Sequence, residues 1–300
     1  MSLGAIPGTG PATSPLTVIR KAKRKSFSDL PAGRTLVMGI LNVTADSFSD
    51  GGKYLGADAA ISHGLKLLYS GADIIDVGGE STRPGAQPVD PAVEQERILP
   101  VIEALAKAGA VISVDTMHVE TARAAIAAGA HIINDVSGLT FEPGMPELIA
   151  ETGVPYVLMH RRGTAADMVH EANYTDVVAE VIEELKQVRE QFYAAGVKPE
   201  QLIIDPGLGF AKDAEHNWAL LAATGQLAEL GHPVLIGTSR KRFLGELLAE
   251  AGTSREPAGR DAATVATTVL AAGHGAWAVR EHDVQANADA LKAVAAHGSH

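Results

Sequence analysis

Residues 111–135 read VISVDTMHVETARAAIAAGAHIIND, and they contain one whole unit of the fold. The stretch 111–114 is a short, largely β-branched apolar run that stops at Asp115. The stretch 119–128 reads as a helix and stops at Gly129, the residue type of a left-handed helix C-cap. A second run, 131–133, stops at Asn134-Asp135. Short apolar runs of this kind read as buried strands. Strand alternating with helix reads as a parallel sheet with helices packed on it.

Outward from this unit the pattern repeats in both directions. Upstream, 36–41 ends at Asn42, and 74–77 ends in Gly78-Gly79-Glu80-Ser81-Thr82-Arg83. Downstream, 156–159 ends at His160 and 202–204 at Asp205. The last two runs are 234–236, ending in Thr238-Ser239-Arg240-Lys241, and 277–279, ending in Arg280-Glu281-His282-Asp283. Helical segments fall between them at 58–70, 91–108, 145–152, 176–195, 217–230, 261–272 and 284–296, most of them stopping at glycine. Asp90 before Pro91 is a good N-cap with proline at the first helical position. Eight strands in units of roughly thirty residues close naturally into a (β/α)₈ barrel. A doubly wound open sheet is the alternative, weakened by the absence of G-x-G-x-x-G after the first strand.

Composition bounds the class. The chain has 300 residues, 46% of them apolar and 4% aromatic, so the core is built from Val, Ile, Leu and Ala. No linker composition interrupts it, which suits one barrel domain over 35–297. There is no cysteine, so disulfides and thiolate metal sites are excluded and a reducing compartment fits. No apolar stretch approaches the ~20 residues of a membrane span, and no signal core opens the chain. The expectation is a cytoplasmic protein without a membrane partner. Net charge is −11, unevenly spread. Residues 1–34 carry Arg20, Lys21, Lys23, Arg24, Lys25 and Arg34 against Asp29, a local +5, and read as a flexible basic tail rich in Gly, Pro, Ser and Thr. A nucleic-acid patch is the other reading of that cluster, but no interleaved aromatic supports it and the body is acidic, so no nucleic-acid partner is expected.

In a closed barrel the polar endings converge on one rim, where barrel enzymes keep their sites. Asp115, Asn134 and Asp205 suit the edge of a heterocycle bearing several N–H and C=O groups. Lys241 could donate to the same ring. Arg280 and His282, with Asn42 and Ser81-Thr82-Arg83, supply donors for an anion, and nearby glycines let backbone N–H groups approach it. Each residue also has an ordinary role open to it. Asp115-Thr116 could cap the next helix, and Asn134-Asp135 before Ser137-Gly138 could be turn chemistry. His160 could be a satisfied rim residue, and Met159 suits a pocket wall. The histidines lack metal-ligand spacing, so zinc is not expected.

On longer motifs the chain resembles the dihydropteroate synthases of folate biosynthesis. The resemblance covers roughly residues 36–292. It rests on Met38-Gly-Ile-Leu-Asn-Val-Thr-Ala-Asp-Ser-Phe-Ser-Asp-Gly-Gly52 and Asp76-Val-Gly-Gly-Glu-Ser-Thr-Arg-Pro-Gly85. Ser113-Val-Asp-Thr116, Ile133-Asn-Asp135, Asp205-Pro-Gly-Leu-Gly-Phe210 and Ser239-Arg-Lys241 follow in the same order. The resemblance implies a (β/α)₈ barrel, usually homodimeric. It also implies condensation of p-aminobenzoate with 6-hydroxymethyl-7,8-dihydropterin pyrophosphate, with Mg²⁺ required and sulfonamides competing. By resemblance Asp115, Asn134, Asp205 and Lys241 hold the pterin, with Met159 as wall. Asn42, Arg280 and His282 hold the pyrophosphate and its magnesium, Asn42 as the metal ligand. Asp50 on a first loop, Ser81, Thr82, Arg83 and Pro84 on a second, Phe210, Lys241 and the backbone at Arg242 form the p-aminobenzoate site. The catalytic set expected is Asp50, Asp115, Asp205 and Lys241, in a dissociative, SN1-like substitution.

Two positions depart from the family pattern. Glu281 stands where an apolar residue is usual, and strand alternation turns it away from its two neighbours. Arg242 stands where many relatives have Ser. A pterin-binding methyltransferase would not need the first loop or the Ser-Arg-Lys cluster, and a non-catalytic pterin-binding protein would bind without turnover.

Overall fold

Eight short strands all run the same way: β1 (Leu36–Asn42), β2 (Ile74–Gly78), β3 (Val111–Asp115), β4 (Ile132–Asp135), β5 (Tyr156–Met159), β6 (Leu202–Asp205), β7 (Leu235–Ile236) and β8 (Ala278–Glu281). They lie in the order β6-β5-β4-β3-β2-β1-β8-β7, every ladder parallel. A parallel bridge from Ile204 to Val234 and the Ile204 N–H bond to Pro233 O, at 2.8 Å, join β6 to β7 and close the ring. That closure selects the (β/α)₈ barrel over the open sheet. The computed structural model describes residues 25–44, 52–81, 87–164 and 171–298, apart from the side chains of 52–55.

Ten α-helices surround the strands among the described residues: α1 (Gly52–Tyr69), α2 (Pro91–Lys107), α3 (Val119–Ala128), α4 (Met145–Thr152), α5 (Val177–Ala194), α6 (Ala214–Ala222), α7 (Thr224–Ala228), α8 (Arg242–Leu247), α9 (Asp261–Gly273) and α10 (Val284–His297). Asp90 caps α2 as its sequence suggests, accepting from Ala92 N at 2.9 Å. Gly129 ends α3 with φ 114°, a conformation costly for any residue with a Cβ. The single helix expected at 217–230 is two. The Thr224 hydroxyl bonds the Leu221 carbonyl at 2.7 Å and competes with the helical ladder at the junction. The six-residue α8 is too short for apolar periodicity to reveal it. Several strands run one residue into the polar position that was read as their ending.

Alternation along each strand separates two apolar layers. One set of side chains, including Val37, Ile75, Ile112, Ile133, Leu158, Ile204 and Val279, faces the helices. The other, Leu36, Met38, Ile74, Val111, Ile132, Val157, Ile203, Leu235 and Ala278, fills the barrel. Burying each Leu, Ile or Val in such a layer contributes about 1.5–3 kcal/mol.

Below that layer the chain closes the floor. Phe27 and Leu30 pack on the inner cluster with Trp277, and the Phe27 and Trp277 rings lie 6.1 Å apart. Lys25 O meets His131 Nε2 at 2.8 Å, and Arg34 pairs with Asp73 at 2.6 Å. Among the described residues the barrel's contacts thus include Lys25, inside the stretch read as tail.

Candidate active site

Two residues further along the strands, the inward positions change character. Ile74 is followed inward by Asp76, Val111 by Ser113, Ile132 by Asn134, Val157 by Met159, Ile203 by Asp205 and Ala278 by Arg280. One step higher on β3 stands Asp115, in register with Gly78 and Asn134. A polar layer thus lies on an apolar one at the carboxyl ends of the strands.

Its centre is a buried ionic group. Arg280 Nε donates to Asp76 Oδ2 at 2.6 Å, and Arg280 Nη2 donates to Asp115 Oδ2 at 2.7 Å. Asn134 Nδ2 donates to the same Asp76 oxygen at 3.1 Å. Asp76 is 0% exposed and Arg280 only 22%. Burial pushes Asp115 up to about 7, against the Arg280 charge and with help from Asp76. Asp76 was missed in the sequence because it sits inside an apolar run. A lone carboxylate in a strand buried on both faces was the available signal.

The ordinary roles left open are now separated. Thr116, not Asp115, makes the local turn, its hydroxyl accepting from His118 N at 3.2 Å and donating to Glu94 at 3.0 Å. Asp135, not Asn134, takes the turn and core bonds, from Ser137 N at 2.7 Å and Tyr156 OH at 2.9 Å. Asp115 and Asn134 remain for the interior.

Across the barrel, Asp205 Oδ1 accepts from Gly207 N at 2.7 Å. Burial raises its pKa, opposed by the charge of Lys241. Lys241 is pushed down to about 8 by burial, opposed by Asp205. Its ammonium donates to Leu208 O and lies 4.9 Å from the centre of the Phe210 ring. Met159, 2% exposed, pairs in register with Asp205. Gly207, at φ 67°, folds the loop tightly against β5, and a Cβ there would stand 1.8 Å from His160 O.

Asn42 is exposed at the end of β1, opposite Gly78. His282 follows β8. Ser239 Oγ accepts from His282 N at 3.1 Å and lies 2.9 Å from His282 Nδ1. These two contacts hold the His282 ring beside Ser239, and either partner can be the donor of the bond at Nδ1. Glu281 points the other way, as alternation requires, toward α9, where Thr268 Oγ1 donates to it at 3.0 Å. Burial pushes it up to about 8. The Arg242 side chain is 68% exposed and pairs with Glu246 at 3.2 Å. Ser81 is exposed at the limit of its described segment. Asp50, Thr82, Arg83 and Pro84 lie outside the described residues.

A third buried cation, Lys212, escaped sequence reading altogether. Lys212 Nζ donates to Phe210 O at 2.9 Å and meets His160 Nδ1 at 3.0 Å. His160 is fully buried, its Nε2 held by Glu184 at 2.7 Å, so it is the satisfied residue that the sequence allowed. Lys212 ties the loop after β6 to the loop after β5. No periodicity marks it, because it belongs to a loop.

Comparison with known proteins agrees with this layout. The family model described as pterin binding enzyme matches residues 38–282. The dihydropteroate synthase of Mycobacterium leprae is 56% identical over 262 residues, which are 87% of this chain and 92% of that one. A structure of Xanthomonas albilineans dihydropteroate synthase with 4-aminobenzoic acid superimposes with a TM-score of 0.81 at 47% identity, covering 89% of this chain and 94% of that one. A Yersinia pestis dihydropteroate synthase in a sulfonamide drug complex gives 0.82 at 42% identity, covering 89% and 95%. The chain belongs to the pterin-binding enzyme family, among its dihydropteroate synthases.

Proposed function

We propose that the chain condenses p-aminobenzoate with 6-hydroxymethyl-7,8-dihydropterin pyrophosphate, giving 7,8-dihydropteroate and pyrophosphate. The observation that carries this reading is the polar layer over the barrel floor. It holds three carboxylates, one amide and two cations on six strands or strand ends, a set of donors and acceptors suited to the edge of one flat ring. Asp115, Asn134, Asp205 and Lys241 bind the pterin, and Met159 forms its wall. Arg280 and His282 bind the pyrophosphate. The bonds of Arg280 to Asp76 and Asp115 use Nε and Nη2, leaving Nη1 for the anion. Ser81, Thr82, Arg83, Pro84, Phe210, Lys241 and the backbone at Arg242 receive p-aminobenzoate, where sulfonamides compete, and Asp50 helps assemble that site.

The bond between the pterin methylene and pyrophosphate breaks with its electron pair leaving on the pyrophosphate. The aromatic amine then supplies the pair for the new carbon–nitrogen bond and gives up a proton. Ionised Asp115 and Asp205 favour the positive charge that develops on the methylene, which suits a dissociative path. The amine is a weak nucleophile, so its positioning matters more than base catalysis.

Among the described residues no cluster of three or more acidic or histidine side chains could hold a metal. Asn42 offers a side-chain oxygen at the end of β1. That sparse set fits Mg²⁺, which is commonly held by one or two protein groups together with substrate phosphates. Bound so, it neutralises charge on the pyrophosphate. Homodimer formation and a cytoplasmic setting belong to the same reading. No helix among the described residues is long and apolar enough to cross a membrane.

The test measures pyrophosphate release with Mg²⁺, with and without p-aminobenzoate, alongside dihydropteroate. Formation of dihydropteroate that requires p-aminobenzoate, and at least ~100-fold less of it in Lys241→Ala, supports the reading. Pterin binding without product overturns it.

A further inference from the structure

We infer that Asp76 is the positioning residue of this site: through one carboxylate oxygen it orients Asn134 and Arg280, and thereby makes Asn134 an acceptor toward the ring. This rests on the proposed reaction for the identity of the ring and deepens it by assigning a direction to one of its hydrogen bonds.

Three observations carry it. Asp76 is fully buried on β2, one layer above the apolar floor, beyond the reach of solvent. Its Oδ2 accepts both from Asn134 Nδ2, at 3.1 Å, and from Arg280 Nε, at 2.6 Å. The Asn134 oxygen is buried and has no hydrogen-bond partner among the described residues.

An amide can turn either end toward a ligand, but an ionised carboxylate can only accept. Asp76 therefore draws the NH₂ end of Asn134 to itself and leaves the oxygen as the group that must be satisfied. A buried acceptor without a partner is costly, so a ligand that brings an N–H gains that bond with little competition from water. The chemical class is a heterocycle presenting a ring N–H or an exocyclic amino group at this point. A ring presenting a carbonyl there meets an oxygen and is rejected. The second bond acts on the anion side. Holding Arg280 by Nε fixes the plane of the guanidinium, so that Nη2 meets Asp115 and Nη1 is turned to the ligand. One buried oxygen thus links the group that reads the ring to the group that reads the leaving group.

The experiment compares Asp76→Asn, Asn134→Ala and the double variant with the unchanged protein. Steady-state rates and calorimetric binding of 7,8-dihydropteroate are both measured, and folding is monitored by thermal melting. For Asp76→Asn, KM for the dihydropterin pyrophosphate should rise about tenfold or more. KM for p-aminobenzoate should stay within about twofold, because among the described residues no bond of Asp76 reaches that side of the site. Product affinity in the double variant should fall by less than the product of the two single effects, since Asp76 acts partly through an amide already removed. Strictly multiplicative losses overturn the inference. So does a folded Asp76→Asn protein with unchanged pterin affinity, or one in which both KM values move together, as a merely structural carboxylate would produce. Should Asp76→Asn fail to fold, Asp76→Glu, which keeps the acceptor but displaces it, is judged by the same split between the two KM values. If the unchanged protein binds dihydropteroate but makes none, the proposed reaction fails, while the binding cycle still decides the role of Asp76.

Discussion

The two ends of the barrel are built from the same strands and have opposite characters. At the floor, nine apolar side chains fill the interior, and Phe27, Leu30 and Trp277 cover them. Two residues further along, Asp76, Ser113, Asn134, Asp205 and Arg280 occupy the equivalent inward positions. Among the described residues the floor holds no buried polar side chain that needs a partner. The upper layer leaves Asp76 Oδ1, Ser113 Oγ and Asn134 Oδ1 buried and unpartnered among the described residues. Each such atom costs about 1–3 kcal/mol if it stays unsatisfied. Stability is concentrated at one end and unused hydrogen-bonding capacity at the other. A shift of two residues along a strand separates them, which is why one scaffold can tolerate a destabilising site.

The comparison breaks first at Ile203, which lies in the floor two residues before Asp205. Ile203→Ala should destabilise the protein by about 2–5 kcal/mol in urea unfolding. Both KM values of the folded fraction should stay within about twofold of the parent. A large change in KM would show that the two ends are not energetically separable. A smaller effect should appear in the pH profile. Asp115 acts ionised with a pKa near 7, and Lys241 acts as the ammonium with a pKa near 8. On these values kcat/KM should fall about tenfold per pH unit below about 7 and again above about 8, a narrow bell. A flat profile from pH 6 to 9 would remove either these pKa positions or these roles.

The smallest effect sharpens the contrast between neighbouring residues. Arg280 faces the interior, whereas Glu281 faces α9 and touches no proposed ligand. Its pKa in the folded protein, about 8, lies above the ordinary value near 4.3. Between those values the unfolded chain is ionised and the folded one holds a proton, so stability falls as pH rises through this window. Glu281→Gln should therefore raise the melting temperature at pH 8 by about 2–4 °C, with a smaller gain at pH 5. Turnover should be nearly unchanged. A marked loss of activity would mean that Glu281 acts on the site through Ser239 or Lys241.

Much of the candidate site was legible because of where its residues stand. Asp115, Asn134, Asp205 and Arg280 interrupt apolar runs at their carboxyl ends, and barrel closure brings all such ends together. Asp76 was less legible because it lies one layer deeper, within a run that reads as continuous strand. Lys212 was not legible at all, since its burial depends on two loops meeting. The division of labour at Asn134-Asp135 was open in sequence, where either residue could have made the turn. Packing of Asp135 against Tyr156 and Ser137 settled it.

What the sequence by itself determined is the alternation of strand and helix and the identity of the residues at each strand end. Both are local, set by apolar periodicity and helix caps within a few residues. What only the tertiary structure decided is who meets whom. Arg280 and Asp76 are 204 positions apart, and Arg280 and Asp115 are 165. No local pattern encodes those contacts. They exist because β8 pairs with β1 within the closed ring, so that side chains from opposite ends of the chain share one small interior, where an unpaired charge is too costly to persist.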